Sequence, residues 1–346
     1  MMARALTLAE KGLYTTTPNP RVGCVVCKGE KMISEGWHEK AGAPHAEMLA
    51  LEKARGDAAG ATVYVNLEPC NHYGKTPPCA GALISAKVAR VVAAMTDPNP
   101  QAAGGGAALA KAGIRFEHGL MEEAAHELNI GFVSRVTRGR PWVRLKTAAT
   151  LDGRSALEDG RSQWITGPEA RRDGHRWRAR ACAVLTGIGT VKADDPRLTV
   201  REVETTRQPL RVVVDSRLEM PPGARILEGG NVLIFTATGG KAPKGAETIV
   251  LPNENKKVHL PRMLEELARR GINELHVEAG FRLNGSLLRE DCVDEVLLYF
   301  NPSLLGDSAQ GLFDLPAPGS LEGRRKLRIL SVERLGEDLR ILARPA

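Results

Sequence analysis

Apolar residues recur with two different periods along the first 139 residues. Helical spacing predicts helices over 2–12, 45–55, 79–87, 105–113 and 121–139. Short runs rich in β-branched residues predict strands over 21–29, 31–38, 61–69, 89–95 and 114–120. The first two strands form a hairpin around Gly29, whereas helices separate the later strands and make them parallel. This pattern predicts an α/β sandwich.

A second α/β pattern begins where Gly139 and Pro141 precede a new strand. Strands are predicted over 142–150, 181–189, 210–216, 231–238, 273–280 and 294–302. Helices are predicted over 171–181 and 260–271, and the last segment, 326–344, predicts an antiparallel hairpin. Because 346 residues suffice for two cores, we expect two domains, 1–139 and 140–346.

Composition narrows the class of protein. No apolar run approaches the roughly 20 residues that span a bilayer, and the N-terminus lacks a signal-peptide core. We therefore expect a cytoplasmic protein without membrane contact. The formal charge is +7, but basic residues are scattered and aromatic residues make up only 4% of the chain. This distribution argues against nucleic-acid binding and suits anionic small molecules, although a slightly basic solvated surface explains it equally well.

Two of the six cysteines remain as candidates for chemistry. In a reducing compartment the six do not form a disulfide framework. Cys24 and Cys27 lie three apart on a predicted strand, so their side chains face opposite sides and cannot share an ion. Cys182 and Cys292 are solitary and typical of core positions. Cys70 and Cys79 are left, separated by eight residues rather than the two that are common in zinc sites.

The sequence around these two cysteines predicts a catalytic zinc site. His45 and Glu47 fall in the first turn of a predicted helix, Cys70 ends a strand, and Cys79 precedes a helix. One imidazole and two thiolates provide three ligands, which leaves the fourth tetrahedral position for water. A glutamate two residues after the histidine is placed to carry protons, as in zinc-dependent nucleobase deaminases. The alternative is a helix start near two ordinary buried cysteines.

Longer motifs resemble one family. The stretches TTTPNPRVGCVV, GWHEKAGAPHAE, LEPCNHYGKTPPC and MTDPNP are similar to the bifunctional deaminase/reductase of riboflavin biosynthesis. The resemblance implies a cytidine-deaminase-like α/β/α domain in which His45, Cys70 and Cys79 bind zinc and Glu47 shuttles protons. It further implies substrate contacts, to the pyrimidine from Asn19 and to the ribose and phosphate from His38, His72 and Lys75.

The second half continues the resemblance. The stretches LKTAATLDGRSAL, SQWITGPEARRDGHRWRA and HVEAGFRLNGSLL match the family's reductase domain, which implies a dihydrofolate-reductase-like α/β fold that uses NADPH. The implied NADPH contacts are Ala148, Trp164, Thr190, Asp194, Ser216, Gly280, Phe281, Arg282, Leu283, Asn284, Gly285 and Ser286. The implied substrate contacts are Ser162, Arg178, Leu198, Arg201 and Glu278.

Two points about this half come from the residues themselves. The chain has no G-x-G-x-x-G fingerprint, but the glycine-containing loop after strand 273–280 leads into a helix whose first amides could bind a pyrophosphate. Two arginines facing a ribose phosphate suit bidentate recognition. Lys146 and Asp194 are our candidates for proton transfer during reduction. They could equally form a structural ion pair, or only position ligands.

We therefore predict a bifunctional enzyme of riboflavin biosynthesis that acts on phosphorylated pyrimidines and forms a homo-oligomer. It would deaminate 2,5-diamino-6-ribosylamino-4(3H)-pyrimidinone 5′-phosphate, then reduce the ribosyl chain to ribityl with NADPH. The alternatives are a nucleic-acid deaminase with an accessory domain and a deaminase fused to a nucleotide-sensing domain. A third is a structural zinc module with His72 as fourth ligand.

Overall fold

A computed structural model describes residues 1–72 and 77–346. Lys75, one of the predicted substrate contacts, lies outside the described residues. The chain divides into two compact units, Met1–Gly139 and Arg140–Ala346, which we describe separately. None of the described helices combines the length and apolar character needed to cross a membrane.

The first unit is a five-stranded mixed sheet with helices around it. Its strands are β1 (Gly23–Lys28), β2 (Lys31–Trp37), β3 (Thr62–Leu67), β4 (Arg90–Met95) and β5 (Arg115–Glu117). Its helices are α1 (Met2–Glu10), α2 (Ala46–Ala54), α3 (Cys79–Ser85), α4 (Gly105–Lys111), α5 (Glu122–Leu128) and α6 (Ile130–Arg138). The strand order is β2-β1-β3-β4-β5, antiparallel for the predicted hairpin and parallel from β3 to β5.

The prediction of one helix over 121–139 is wrong. Asn129 departs from helical backbone angles, with φ −108° and ψ 18°, and separates α5 from α6. The Asn129 side chain instead accepts a hydrogen bond from the Arg21 amide at 2.8 Å and donates one to the Arg21 carbonyl at 3.0 Å. These hydrogen bonds satisfy the buried main-chain groups of Arg21, and they hold Asn129 in place although the residues on both sides of it have a helical pattern.

The second unit carries the remaining elements. Its strands are β6 (Trp142–Thr150), β7 (Arg154–Ala156), β8 (Ala183–Gly187), β9 (Leu210–Val214), β10 (Val232–Thr236), β11 (Ala246–Val250), β12 (Glu274–Val277), β13 (Glu295–Asn301), β14 (Gln310–Gly311), β15 (Leu327–Leu335) and β16 (Asp338–Pro345). Its helices are α7 (Pro168–Arg180), α8 (Ile188–Asp194), α9 (Leu260–Arg269) and α10 (Phe281–Arg289). The short elements α8, β7, β11 and β14 were not predicted.

Nine of these strands form one sheet in the order β11-β10-β9-β8-β12-β6-β13-β16-β15. Neighbours are parallel from β11 to β13, because helices or long connections separate them, and the predicted terminal hairpin β15–β16 adds two antiparallel strands. The strands β12, β6 and β13 run in the same direction; β13 ends beside the end of β6, and β12 ends beside Leu145 in the middle of β6. Ligands of open α/β sheets bind at the carboxyl ends of such strands.

One face of this sheet carries a row of alternating charges. Glu274, Arg144, Glu295 and Arg344 lie on the adjacent strands β12, β6, β13 and β16. The Arg144 side chain is only 2% exposed and forms ion pairs with both glutamates. Arg180 on α7 also pairs with Glu274, at 2.7 Å, and Arg344 with Glu295 at 3.1 Å. The charges therefore satisfy one another inside the unit.

Candidate active sites

One nitrogen and two sulfur atoms form a compact triangle in the first unit. The candidate ligand atoms of His45, Cys70 and Cys79 all lie within 4.8 Å of one another. His45 Nδ1 is 3.2 Å from Cys79 Sγ and 3.6 Å from Cys70 Sγ. In a tetrahedral zinc site, nitrogen and sulfur ligands are about 3.5 Å apart. The donor types and their spacing therefore fit zinc.

Local structure places each of these atoms. His45 is the N-cap of α2 rather than a member of its first turn as predicted, and its imidazole faces the sulfurs instead of capping the helix. Cys79 opens α3, and its main-chain N–H donates to Cys70 Sγ at 3.4 Å. Hydrogen bonds from Cys79 and His45 lower the pKa of the Cys70 thiol, which favours its thiolate form.

Glu47 lies beside this triangle in the first turn of α2. Its side chain is buried, and burial raises its pKa to about 7 against the opposing charge of His45. The carboxyl group also hydrogen-bonds with Cys79. A buried carboxyl group with a pKa near neutrality can both accept and donate a proton.

Asn19 and His38 lie next to the triangle as a pair. Asn19 Nδ2 donates to His38 Nε2 at 3.1 Å, and His38 Nδ1 donates to the Pro44 carbonyl at 3.0 Å. Burial lowers the pKa of His38, which favours the neutral ring that this pairing requires. The His38 and His45 rings meet edge to face with centroids 5.4 Å apart. Two predicted substrate contacts are thus brought to the zinc ligands.

Two asparagines hold the segment that follows Asn19. The Arg21 carbonyl accepts from Asn66 Nδ2 at 2.9 Å as well as from Asn129, and the Gly23 amide donates to Asn66 Oδ1 at 2.8 Å. The two asparagine side chains thereby provide the hydrogen bonds that a neighbouring strand would otherwise provide to the main chain where β1 begins. Neither asparagine was singled out in the sequence, because their partners are 45 and 108 residues away.

Glu68 fixes the backbone two residues before Cys70. Its buried carboxylate accepts from the Asp97 amide at 3.0 Å and from the Gly106 amide in the first turn of α4 at 2.8 Å. A side chain at Gly105 would lie 1.8 Å from the Pro69 carbonyl oxygen, so only glycine allows α4 to pack there. Glu68 was not among the predicted site residues. Its position directly before Pro69 and Cys70 is the feature of the sequence that could have indicated it.

His72 is exposed and is not among the metal-ligand groups formed by the described residues. The alternative of a structural zinc module with His72 as fourth ligand therefore gains no support from the geometry.

In the second unit, a charged cluster lies at the carboxyl end of β12, beside the middle of β6. Glu278 binds Arg178 through both carboxylate oxygens, and Lys146 Nζ lies 4.0 Å from it. Burial lowers the pKa of Lys146, and its ammonium also sits over the Tyr299 ring at 5.6 Å. Burial alone would raise the pKa of Glu278, but the positive charge of Arg178 holds this pKa well below its usual range. Lys146 thus pairs with Glu278, and no ion pair with Asp194 is found within the described part of the chain.

Arg201 joins the same cluster. The Thr199 carbonyl accepts from Arg178 Nη1 at 3.2 Å and from Arg201 Nη1 at 3.3 Å, so the two guanidinium groups lie side by side. Glu278 neutralises Arg178, and within the described part of the chain no carboxylate lies within 4 Å of Arg201. Glu202 also acts on both arginines, but together with Lys146 the cluster holds three cations against two carboxylates, and a net positive charge attracts an anion.

Two of the predicted cofactor contacts, Gly280 and Thr190, meet at the start of α10. Gly280 is its N-cap, without a side-chain cap, and a side chain there would meet Thr190 Oγ1 at 3.6 Å. Leu283 packs against Gly187, the N-cap of α8. Exposed N–H groups at a helix start suit a phosphate. The predicted loop Gly280–Ser286 is helical from Phe281 onward, so its first turn, rather than a loop, presents these amides.

The other predicted contacts fall in three groups. Gln163 hydrogen-bonds Asp194, whose pKa is raised by burial, so the segment that carries Ser162 and Trp164 meets the end of α8. Three further predicted residues are buried inside the unit. The Leu198 side chain lies in an apolar cluster, and Asn284 and Gly285 pack against segment 312–314. Ala148 lies on β6, Ser216 Oγ accepts from the Val258 amide, and Arg282 is exposed.

Comparisons with known proteins identify the family of this chain. Residues 1–95 match the cytidine and deoxycytidylate deaminase zinc-binding region, and residues 141–341 match the RibD C-terminal domain. The riboflavin biosynthesis protein RibD of Escherichia coli K12 is 45% identical, over 98% of this chain and 96% of its own. The chain belongs to the RibD family.

Solved structures of the RibD family resemble this chain along its full length. RibD of Acinetobacter baumannii is 42% identical, with a TM-score of 0.93 over 100% of this chain and 98% of its own. A diaminohydroxyphosphoribosylaminopyrimidine deaminase/5-amino-6-(5-phosphoribosylamino)uracil reductase from Thermotoga maritima is 35% identical, with a TM-score of 0.91 over 100% and 97% of the two chains.

Family membership confirms the predicted resemblance and the fold class of two α/β parts. It also confirms the predicted function, a bifunctional deaminase and reductase of riboflavin biosynthesis with a zinc-binding deaminase region.

Proposed function

We propose that the unit Met1–Gly139 carries out the deamination and the unit Arg140–Ala346 the reduction. The substrate of the first step would be 2,5-diamino-6-ribosylamino-4(3H)-pyrimidinone 5′-phosphate, which loses its 2-amino group by hydrolysis. The observation that carries the proposal is the triangle of His45, Cys70 and Cys79 with the buried Glu47 beside it.

The residues of the first unit have distinct roles in this proposal. Zinc held by His45, Cys70 and Cys79 supplies a Lewis acid that makes water nucleophilic near neutral pH. A Glu47 carboxylate oxygen takes a proton from the attacking water and gives a proton to the departing amine, which leaves as ammonia. Asn19, oriented by His38, hydrogen-bonds the pyrimidine edge. His72 and Lys75 contact the ribose phosphate.

In the second unit, NADPH supplies the hydride that converts the ribosyl chain to ribityl. The first turn of α10 and Thr190 hold its phosphates, and Ala148, Trp164, Asp194 and Ser216 complete its site. The uncapped N-terminus of α10 beside Gly187 and Thr190 fits such a group. Arg178 and Arg201 bind the substrate phosphate, with Ser162, Leu198 and Glu278 as further contacts. Lys146 delivers or holds a proton near the sugar, because burial lowers the pKa of its ammonium group.

A two-step assay tests the assignment. The pyrimidine phosphate is supplied with and without NADPH, and ammonia release and NADPH oxidation are followed separately. We expect ammonia release without NADPH, and NADPH oxidation only once the deaminated intermediate is present. NADPH oxidation that precedes ammonia release would contradict the order of steps.

We predict that Lys146→Met lowers kcat of the reduction by about 100-fold, because proton transfer contributes at least this much. Deamination stays at the wild-type rate. NADPH oxidation with the deaminated intermediate is the measurement, and Lys244→Met, which changes an exposed lysine, is the control. Asp194→Ala also lowers reduction and spares deamination. If Lys146→Met reduces at the normal rate, Lys146 does not transfer the proton.

We further propose that the protein forms a homo-oligomer through the outer face of the β15–β16 hairpin. Ile329 and Val332 are 59% and 56% exposed on the edge strand β15, and they lie opposite Ala343 and Ile341 on β16. A second copy of the chain would cover this apolar face, which a monomer leaves in water.

We predict that the double substitution Ile329→Lys and Val332→Lys yields monomers, because two charges cannot be buried in an apolar interface. Light scattering after size-exclusion chromatography measures the mass, with Arg328→Ala on the same strand as control. An unchanged oligomer would place the interface elsewhere, and a monomeric wild type would refute the proposed oligomer.

We also propose that the protein acts in the cytoplasm. Its six cysteines are free thiols, and free thiols are typical of a reducing compartment.

A further inference from the structure

We propose that His175 is a positioning residue that holds Arg178 and Arg201 together as the binding site for the substrate phosphate. This inference rests on the proposed function of the second unit. His175 belongs to none of the predicted contacts, yet it is buried on α7, three residues before Arg178 and on the same face of the helix.

His175 ties an extended segment to the helix. Its Nδ1 accepts a hydrogen bond from the Arg201 main-chain N–H at 3.2 Å. One turn further along α7, Arg178 donates to the Thr199 carbonyl at 3.2 Å. The helix therefore holds the segment 199–201 at two neighbouring points, and one of them is the backbone of Arg201 itself.

The opposite side of the segment is fixed by other groups. The Gln208 side-chain amide accepts from the Val200 N–H at 2.8 Å and donates to the Val200 carbonyl at 3.0 Å. Leu198 and Val200 are buried. Gln208 and the apolar contacts place the segment against the core, and His175 adds the hydrogen bond that aligns Arg201 with Arg178.

Electrostatics explain why the tether must be a neutral acceptor. The two guanidinium groups repel each other, and the positive charge of Arg178 helps burial to lower the pKa of Arg201. A charged group at position 175 would add a third cation and lose the acceptor at Nδ1. The charged groups around the His175 ring are Arg178, Arg201, Glu202 and Glu278, with Glu202 3.9 Å from Nε2. Burial and the two arginines lower the pKa of His175 to about 4, so the ring is neutral at physiological pH.

Substitutions at position 175 separate this role from general packing. His175→Leu keeps the bulk but removes the acceptor, whereas His175→Asn keeps an acceptor near the position of Nδ1. We expect His175→Leu to raise KM for the phosphorylated deaminated intermediate about tenfold, with kcat within about twofold, because one hydrogen bond that places a binding group is lost. His175→Asn recovers most of the affinity, and KM for the dephosphorylated compound barely changes in either variant.

The controls make each outcome decisive. Arg172→Ala removes an exposed positive charge from α7 and leaves KM unchanged. Unchanged deamination shows that the chain is folded at its other site. If His175→Leu does not fold, His175→Gln replaces it, because its acceptor lies one bond further out and the same increase in KM is expected.

Arg201→Ala distinguishes failure of the inference from failure of the proposed function. If Arg201→Ala leaves KM for the phosphorylated intermediate unchanged, the phosphate site itself is wrongly assigned. If Arg201→Ala raises KM but His175→Leu does not, only the role of His175 is refuted. Equal increases for the phosphorylated and dephosphorylated compounds, or for the Leu and Asn variants, would also refute it.

Discussion

Glu47→Gln abolishes ammonia release from the pyrimidine phosphate, with an expected loss of about 10⁴-fold in kcat. The amide keeps the shape of the side chain but cannot take a proton from water or return one to the departing amine. Glu47 is suited to both transfers, because burial raises its pKa to about 7. The direct measurement is ammonia release under saturating substrate.

Three controls accompany this variant. Zinc content stays at one ion per chain, because Glu47 is not one of the three ligands. NADPH oxidation with the deaminated intermediate proceeds at the wild-type rate, since we propose that reduction takes place in the other unit. Glu52→Gln, an exposed position on the same helix, leaves both activities intact. Ammonia release by Glu47→Gln above about a tenth of the wild-type rate would exclude Glu47 as the proton carrier.

Arg144→Met destabilises the second unit by about 3–5 kcal/mol, because it leaves two buried carboxylates without their shared partner. Glu274 keeps its ion pair with Arg180, and Glu295 keeps its ion pair with Arg344, but both lose the ion pair with Arg144. Urea unfolding followed by tryptophan fluorescence reports on this unit, since three of the four tryptophans, at 142, 164 and 177, belong to it.

A second substitution identifies the cause of this loss. Arg144→Met combined with Glu295→Gln should be more stable than Arg144→Met alone, because one of the two uncompensated charges is removed. Arg269→Met disrupts an exposed ion pair on α9 and should change stability little. If the single and double variants unfold at the same urea concentration, the loss comes from packing rather than from charge.

Local patterns predicted most of the fold. The 3.6-residue period of 260–271 and the β-branched runs of 210–216 and 231–238 need no distant partner to be recognised, and the structure contains a helix and two strands there. Short elements such as β14 and α8 carry too few residues for a period to show. The break at Asn129 depends on Arg21, and no local pattern contains that partner.

The same distinction applies to the sites. His45, Cys70 and Cys79 have chemical types rare enough to stand out at their spacing, and the structure brings them together. Glu68 and His175 act through main-chain hydrogen bonds to residues 26 or more positions away. A glutamate and a histidine with such partners resemble ordinary polar residues in a sequence, so only three-dimensional contacts identify them.

The two asparagines that hold Arg21 bear on where the first unit can be shortened. The match to the zinc-binding region of cytidine and deoxycytidylate deaminases ends at residue 95 of this chain. A fragment that ends there would contain the three candidate zinc ligands and Glu47. It would lack Asn129, which pairs with both main-chain groups of Arg21. Such a fragment would keep the candidate metal ligands but lose hydrogen-bond partners of the segment that follows Asn19, so we expect a stable deaminase fragment to extend at least to Asn129.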